Sequence, residues 1–340
     1  MTEPRDPSGT SLSRAVGLGV DAVLDAVLDR ALGAAVERAG APGRIRFTER
    51  QLYYETCRVL HPARALPRGV PLTPGPPVPY ERFARALERR RTDRAAVPGP
   101  AIPGLLPPLP PPVPPERPDP LEPRPGDPAP AAPAEPDLHD YGLPRLLVCQ
   151  SRSVARMLLA NDVHLEAACP VFAAADLPLD PRLTAGLGRA EGATVHVLHD
   201  AGAEGIALTA RVRATLRDAV PGVRVTSLGL VPRHAVALRL FSRPGESRGA
   251  DGRAADGRAA SPLPELPAAL EAREVEWLAR GRAAEVEAVP PARLLRTVLR
   301  LVRGPRTPGH SVRSGLRELR TTGFLTWPGD PARRPEDTRR

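Results

Sequence analysis

The segment Arg145-Leu-Leu-Val-Cys149 carries a continuous apolar run, and this feature constrains the second half of the chain most strongly. Such a run is typical of a strand buried on both faces of a sheet. Further short apolar segments follow, separated by stretches with helical spacing. The predicted strands are Arg145–Cys149, Val171–Ala174, Thr194–His199 and Val223–Leu228, and the predicted helices are Ser151–Asn161, Pro181–Arg189, Ala203–Ala219, Pro267–Arg280 and Pro291–Arg303. This alternation predicts an α/β domain with a mostly parallel sheet covered on both sides.

Proline divides the chain into regions. Of the 340 residues, 45 are proline, and they dominate residues 97–136. This composition cannot bury a core and favours an extended linker. We therefore expect an N-terminal domain at residues 13–94, a linker at 97–136 and the α/β domain at 140–303. Within the last domain, the low-complexity residues 245–262 predict a disordered loop, and residues 304–340 form a basic tail.

The charge of the chain favours a polyanionic partner. Its 48 basic residues, all of them arginine, exceed its 39 acidic residues and give a net charge of +9. Double-stranded DNA is the partner that we expect. The three cysteines lie far apart and without paired histidines, so the sequence indicates neither a disulfide frame nor a zinc site. No apolar run approaches the roughly 20 residues that span a bilayer. We expect no membrane partner and a cytoplasmic, nucleoid-associated protein.

The N-terminal domain begins with an amphipathic helix and continues with a pattern that suits a winged helix-turn-helix. The string Phe47-Thr-Glu-Arg-Gln-Leu-Tyr-Tyr54 opens a helix at Glu49. Thr48 and Gln51 have capping-box spacing, and Phe47 and Leu52 stand at the positions of a hydrophobic staple. The start of this helix is therefore well specified.

The two tyrosines of this helix are predicted to point in different directions. At 100° per residue, Tyr53 falls on the apolar face, whereas Tyr54 falls on the polar face between Arg50 and Arg58. Flanking guanidinium groups favour phenolate and can hold a phosphate, so Tyr54 is a candidate nucleophile. The alternative is that Tyr54 is an ordinary residue at the rim of an amphipathic helix.

A stripe of arginines marks the next predicted helix, Tyr80–Arg91. Arg82, Arg85 and Arg89 lie on one side, at the spacing that a helix against a phosphate backbone needs. With Arg58, they are the candidate DNA-binding residues. The alternative is a solvated face in an arginine-rich chain.

Several segments resemble the topoisomerase VI A subunit and its relatives in meiotic recombination. Residues 44–60 resemble the winged-helix part of that family, whose cleaving tyrosine matches Tyr54 and whose preceding arginine matches Arg50. Leu146–Gln150 and Val195–Gly205 resemble two strands of its magnesium-dependent Toprim domain. Leu228-Gly-Leu-Val-Pro232 and Gly281-Arg-Ala-Ala-Glu-Val-Glu-Ala288 resemble two further signatures of the family. The resemblance implies a winged helix-turn-helix followed by a Toprim-like α/β domain, as well as a homodimer and a separate ATPase subunit as partners.

The set of metal-binding carboxylates that the resemblance implies is incomplete in this chain. The family supplies one glutamate and two aspartates, but here the glutamate position is Gln150 and the second aspartate position is Gly202. Asp200 remains, with Glu204 nearby as a substitute. Mg²⁺ is bound by hard oxygen ligands, and losing carboxylates weakens its binding. Asp200, Glu204 and Gln150 are therefore the candidate ligands of a degenerate Mg²⁺ site.

Two functions follow from these patterns. In the first, the chain is a DNA-binding protein that keeps the architecture of the family and has little or no cleavage activity. In the second, it is an active magnesium-dependent enzyme, a type IIB topoisomerase-like transesterase or Toprim nuclease, in which Tyr54 attacks the phosphodiester. The carboxylate count favours the first function and the setting of Tyr54 favours the second. A metabolite enzyme is disfavoured because no phosphate loop, hydrolase triad or redox motif is present.

Overall fold

The alternating segments of the second half form a four-stranded parallel sheet in the computed structural model of the chain, which describes residues 8–61, 73–94, 102–109, 142–244 and 270–304. The helices are α1 (Ser8–Gly40), α2 (Glu49–Leu60), α3 (Tyr80–Arg94), α4 (Arg152–Ala160), α5 (Val163–Ala167), α6 (Pro181–Arg189), α7 (Ala203–Arg217), α8 (Pro232–Ala237), α9 (Ala272–Ala279) and α10 (Pro291–Arg303). The strands are β1 (Arg145–Cys149), β2 (Val171–Ala173), β3 (Thr194–Leu198), β4 (Arg224–Gly229), β5 (Arg243–Pro244) and β6 (Arg282–Ala283).

The predicted parallel sheet is confirmed. Its strand order is β2-β1-β3-β4, and each neighbouring pair is parallel. β1, α6 and α10 have the predicted bounds, and the other predicted elements differ by a few residues at their ends. Two short helices, α5 and α8, and the antiparallel pair β5–β6 were not predicted. With only two to six residues each, these elements carry too little periodicity to be recognised in a sequence.

Both faces of the sheet are covered. Leu147 and Cys149 of β1 belong to one hydrophobic cluster, and Leu146 and Val148, which point the other way, belong to a second cluster with residues of α6 and α7. Alternation of side chains along a strand produces this division. The uninterrupted apolar run of β1 is thus explained by burial on two sides.

The N-terminal helices share a core with the sheet. Leu32 of α1, Leu52 of α2 and Phe83 of α3 lie in the same hydrophobic cluster as Leu147 of β1. The described residues up to Val302 accordingly group as one compact unit. The predicted N-terminal and α/β regions therefore meet through a continuous apolar interior.

Part of the predicted linker packs against the segment before α2. The backbone N–H of Phe47 donates to the carbonyl of Gly104 at 2.9 Å, and that of Leu106 donates to the carbonyl of Phe47 at 2.9 Å. Ile102 is buried. The expectation of an extended linker is thus wrong for residues 102–109, because the apolar side chains between the prolines enter the core.

The other predicted linker residues lie outside the described part of the chain, as do the predicted loop 245–262 and the tail beyond residue 304. Among the described helices, none is long and apolar enough to cross a membrane.

Candidate functional site

A short bridge places the segment after β6 beside the end of β3. Ala201 and Ala284 exchange two backbone hydrogen bonds, of 2.9 and 3.0 Å. Just beyond, the backbone N–H of Val286 donates to Oδ1 of Asp200 at 2.7 Å. These contacts bring the Glu-Val-Glu sequence at residues 285–287 to the carboxyl edge of the sheet. Helix α2 packs against this segment, so residues from both ends of the chain meet here.

Glu285 lies at the centre of this site. The Tyr54 hydroxyl donates to its Oε2 at 2.9 Å, and Nε of Arg50 donates to the same oxygen at 2.9 Å. The other oxygen, Oε1, accepts from Nη2 of Arg50 at 3.1 Å and lies 2.6 Å from Nη2 of Arg243. Two guanidinium groups and one phenol therefore neutralise and fix a buried carboxylate, as burial of a charge requires.

Tyr54 lies on the same side of α2 as Arg50, as predicted, but it is a core residue. Its exposed fraction is 1%, and its ring stacks on Phe241 with centroids 6.3 Å apart. Burial, together with the charge and hydrogen bond of Glu285, raises the pKa of Tyr54 well above its ordinary value. Arg50 does favour the phenolate, as expected, but burial and the charge of Glu285 outweigh it, so the net pKa of Tyr54 rises.

The other residues predicted on α2 have different partners. Arg58 donates to both carboxylate oxygens of Glu55, at 3.2 and 2.8 Å, and to the carbonyl of Ala288 at 2.6 Å. It thus joins α2 to the segment after β6. Tyr53 is buried, as expected, and its hydroxyl donates to the carbonyl of Val78 at 2.7 Å.

A second buried carboxylate, Glu287, lies next to the start of α2 and accepts hydrogen bonds there. The predicted capping box is confirmed: the Thr48 hydroxyl accepts from the backbone of Gln51, and the Gln51 side chain accepts from the backbone of Thr48. The Thr48 hydroxyl also donates to Oε1 of Glu287 at 2.7 Å, as does that of Ser153 at 2.9 Å. Burial raises the pKa of Glu287, although these two donors oppose the effect.

Asp200 and Gln150 are brought together, but their contacts are internal. Oε1 of Gln150 accepts from the backbone N–H of Asp200 at 2.9 Å. The pKa of Asp200 is raised to about 7 because burial, the largest cause, and the charges of Glu285 and Glu287 outweigh the hydrogen bond from Val286. Gly205 makes this approach feasible, since a Cβ there would clash with the backbone carbonyl oxygen of Asp200 and would lie 2.7 Å from Oε1 of Gln150.

The three predicted Mg²⁺ ligands have different surroundings. Glu204 is exposed in the first turn of α7, whereas Asp200 and Gln150 each use an oxygen to accept a backbone N–H. In the described part of the chain, no three His, Cys, Asp or Glu side chains are placed to hold a metal ion. Glu285 is saturated by three cationic or phenolic donors. The hydrogen bonds that these oxygens already accept leave fewer lone pairs for Mg²⁺.

The predicted arginine stripe of α3 faces acidic residues of α1. Arg82 lies 3.5 Å from Asp25, and Arg89 lies 3.5 Å from Asp25 and 3.8 Å from Asp29. Arg85 is exposed, and its Nε lies 3.4 Å from the carbonyl of Glu81. These contacts lower the net charge of the stripe and orient part of it toward α1.

The most connected residues of the site were not among those predicted from the sequence. Glu285 and Glu287 lie in a segment that the resemblance singled out, and their spacing of two residues was a usable signal. Arg243 and Phe241 follow an irregular stretch after α8, and no motif there distinguishes them. Only the fold brings them to Tyr54.

An open cleft of about 390 Å³ lies beside the site. Thr48, Arg50, Ser153 and Glu287 contribute to its wall, and Tyr54 does not. Arg50 is therefore accessible from this cleft, whereas the phenol of Tyr54 does not border it. Comparison of the chain with protein-family models, with curated proteins and with solved structures gives no match.

Proposed function

We propose that this chain is a DNA-binding protein built on the winged-helix and Toprim-like plan of the topoisomerase VI A group, and that it does not cleave DNA in the conformation described. The observation that carries the proposal is the hydrogen bond from Tyr54 to the buried Glu285. It joins the helix that resembles the cleaving helix to the edge of the sheet that resembles the metal-binding edge.

The same hydrogen bond argues against cleavage. A nucleophilic phenol must lose its proton and reach phosphorus, with a base or cation to assist it. Tyr54 is 1% exposed, its pKa is raised, and its proton points at a carboxylate that is already paired with Arg50 and Arg243. The groups that would assist the reaction hold the phenol in the core instead.

The metal ligands support the same conclusion. Gln150 and Gly202 replace carboxylates of the family pattern, and the oxygens of Gln150 and Asp200 accept backbone hydrogen bonds. A site with less negative charge binds a divalent cation more weakly. The proposed activity is therefore binding through phosphate contacts, for which the net charge of +9 is suited.

Two assays on one preparation test the proposal. Fluorescence anisotropy with a labelled duplex measures binding, and incubation with supercoiled plasmid and Mg²⁺, followed by denaturation, traps any covalent protein–DNA adduct. We expect salt-dependent binding and no adduct. Tyr54→Phe serves as the test variant and Tyr53→Phe as its matched control.

Each assay can contradict a separate part of the proposal. An adduct that forms with the unmodified chain, disappears in Tyr54→Phe and persists in Tyr53→Phe would establish the enzyme instead. Absence of DNA binding at low salt would reject the partner, whatever the result with plasmid.

A further inference from the structure

Helix α10 carries a second row of arginines, on the side opposite its buried face. Leu294, Val298 and Val302 are buried in the core, so the helix is fixed in orientation. Arg293, Arg296 and Arg300 are exposed on its outer side and are here called the α10 stripe. The 13 residues of α10 include no Asp or Glu.

The spacing of the stripe concentrates positive charge. Residues three and four apart lie on the same side of a helix, so the three Cα positions fall within about 60° of rotation and about 10 Å along the axis. Three guanidinium groups on one rigid face form a suitable surface for a row of phosphates.

The α10 stripe also lacks the acidic partners of the α3 stripe. Within the described residues, none of its three arginines forms an ion pair, whereas Arg82 and Arg89 face Asp25 and Asp29. Arg296 shares a cleft of about 370 Å³ with Glu166, but its Nε donates to the carbonyl of Ala292 at 3.2 Å. The positive charge of this face is therefore not neutralised within the described fold.

We propose that the outer face of α10 binds the phosphate backbone of double-stranded DNA. This inference rests on the proposed function and locates its interface. A second copy of this face is a poor occupant because like charges would oppose each other. Residues 305–340 continue the charge bias, with eight arginines and four acidic residues.

The test replaces Arg293, Arg296 and Arg300 together by Gln in the full chain. The matched control replaces Arg211, Arg213 and Arg217 of α7 by Gln, which removes the same charge from three exposed positions elsewhere. Binding of a labelled DNA duplex, and of an RNA duplex of the same sequence, is measured by anisotropy over a series of salt concentrations. Circular dichroism and urea unfolding verify that each variant is folded.

We expect the α10 variant to lose affinity for every duplex sequence. Its plot of log affinity against log salt should become shallower by about 2–3, because each lost phosphate contact removes about 0.9 from the slope. The α7 control should change the slope by less than about 1.

Three results would overturn the inference. Equal losses in both triple variants would mean that total charge matters and location does not. An unchanged slope in the α10 variant, with intact binding, would remove α10 from the interface and leave the proposed function standing. Binding to duplex RNA but not to duplex DNA would reject the proposed partner.

Discussion

Replacing Tyr54 by Phe removes a single hydroxyl from the centre of the site. The ring keeps its stack on Phe241, so the change isolates the hydrogen bond to Glu285. A hydrogen bond to a charged group contributes about 1.5–3 kcal/mol to stability. Because Oε2 of Glu285 still accepts from Arg50, we expect the lower part of that range, about 1.5–2 kcal/mol.

Tyr53→Phe is the matched control. The Tyr53 hydroxyl donates to the uncharged carbonyl of Val78, so its removal should lower the free energy of unfolding by about 0.5–1.5 kcal/mol. Urea unfolding followed by circular dichroism measures both variants, and an unchanged m-value validates the comparison. A Tyr54→Phe variant as stable as the unmodified chain, or less affected than Tyr53→Phe, would refute the role of Tyr54 as a structural donor.

Three further perturbations test the surroundings of the site. Gly205→Ala should lower the free energy of unfolding by about 1–3 kcal/mol, because its Cβ would clash with the backbone carbonyl oxygen of Asp200 and crowd the side-chain oxygen of Gln150. Gly202→Ala, whose Cβ would be 3.5 Å from Ala283, should cost less than about 1 kcal/mol. Equal losses in the two variants, measured by urea unfolding, would contradict the crowding at Gly205. The pKa of Asp200 is raised from 3.8 to about 7, so the folded chain binds this proton more tightly than the unfolded chain. In metal-free buffer, the free energy of unfolding should therefore fall as pH rises from about 4 to 7, by up to about 1.4 kcal/mol per pH unit. Asp200→Asn should remove this pH dependence in urea unfolding, and an unaltered dependence on pH would reject the contribution of Asp200. Thr48→Val should cost about 1–2 kcal/mol by removing the cap of α2, and Thr48→Ser should cost less; equal costs would mean that the hydroxyl is not responsible.

The sequence predicts the sheet well because its signals are local. The apolar run of β1 and the amphipathic pattern of α10 each reflect burial within one element, and the capping box of α2 lies within four residues. Such patterns survive in any environment that buries the same face. The parallel arrangement follows from the alternation of these elements.

The site is harder to predict because its partners are distant in sequence. Tyr54 and Glu285 are separated by 231 positions, and Phe241 and Arg243 close the site from a third segment. Helical periodicity placed Tyr54 on the polar side of α2, which is correct for an isolated helix. In the fold, the segment after β6 packs over that side of α2. This packing buries Tyr54 and raises the pKa of its phenol.

Charged residues on helix α3 are likewise hard to interpret from the sequence, because their partners lie on another helix. Arg82 and Arg89 form a stripe in the sequence, but Asp25 and Asp29 of α1 face them in the fold. A row of like charges in a sequence gives no information on the acids that another helix presents. The arginines of α10 satisfy the same spacing without such partners in the described residues.

Spectrophotometric titration of Tyr54 tests the central claim most directly. The phenolate absorbance of the folded, unmodified chain is compared with that of Tyr54→Phe as pH rises, and Tyr53→Phe is measured in parallel. If Tyr54 is a buried donor to Glu285, the unmodified chain and Tyr54→Phe should give the same absorbance up to about pH 10, the ordinary pKa of tyrosine. An additional phenolate in the unmodified chain below about pH 9, absent from Tyr54→Phe alone, would identify Tyr54 as an activated nucleophile and contradict the account.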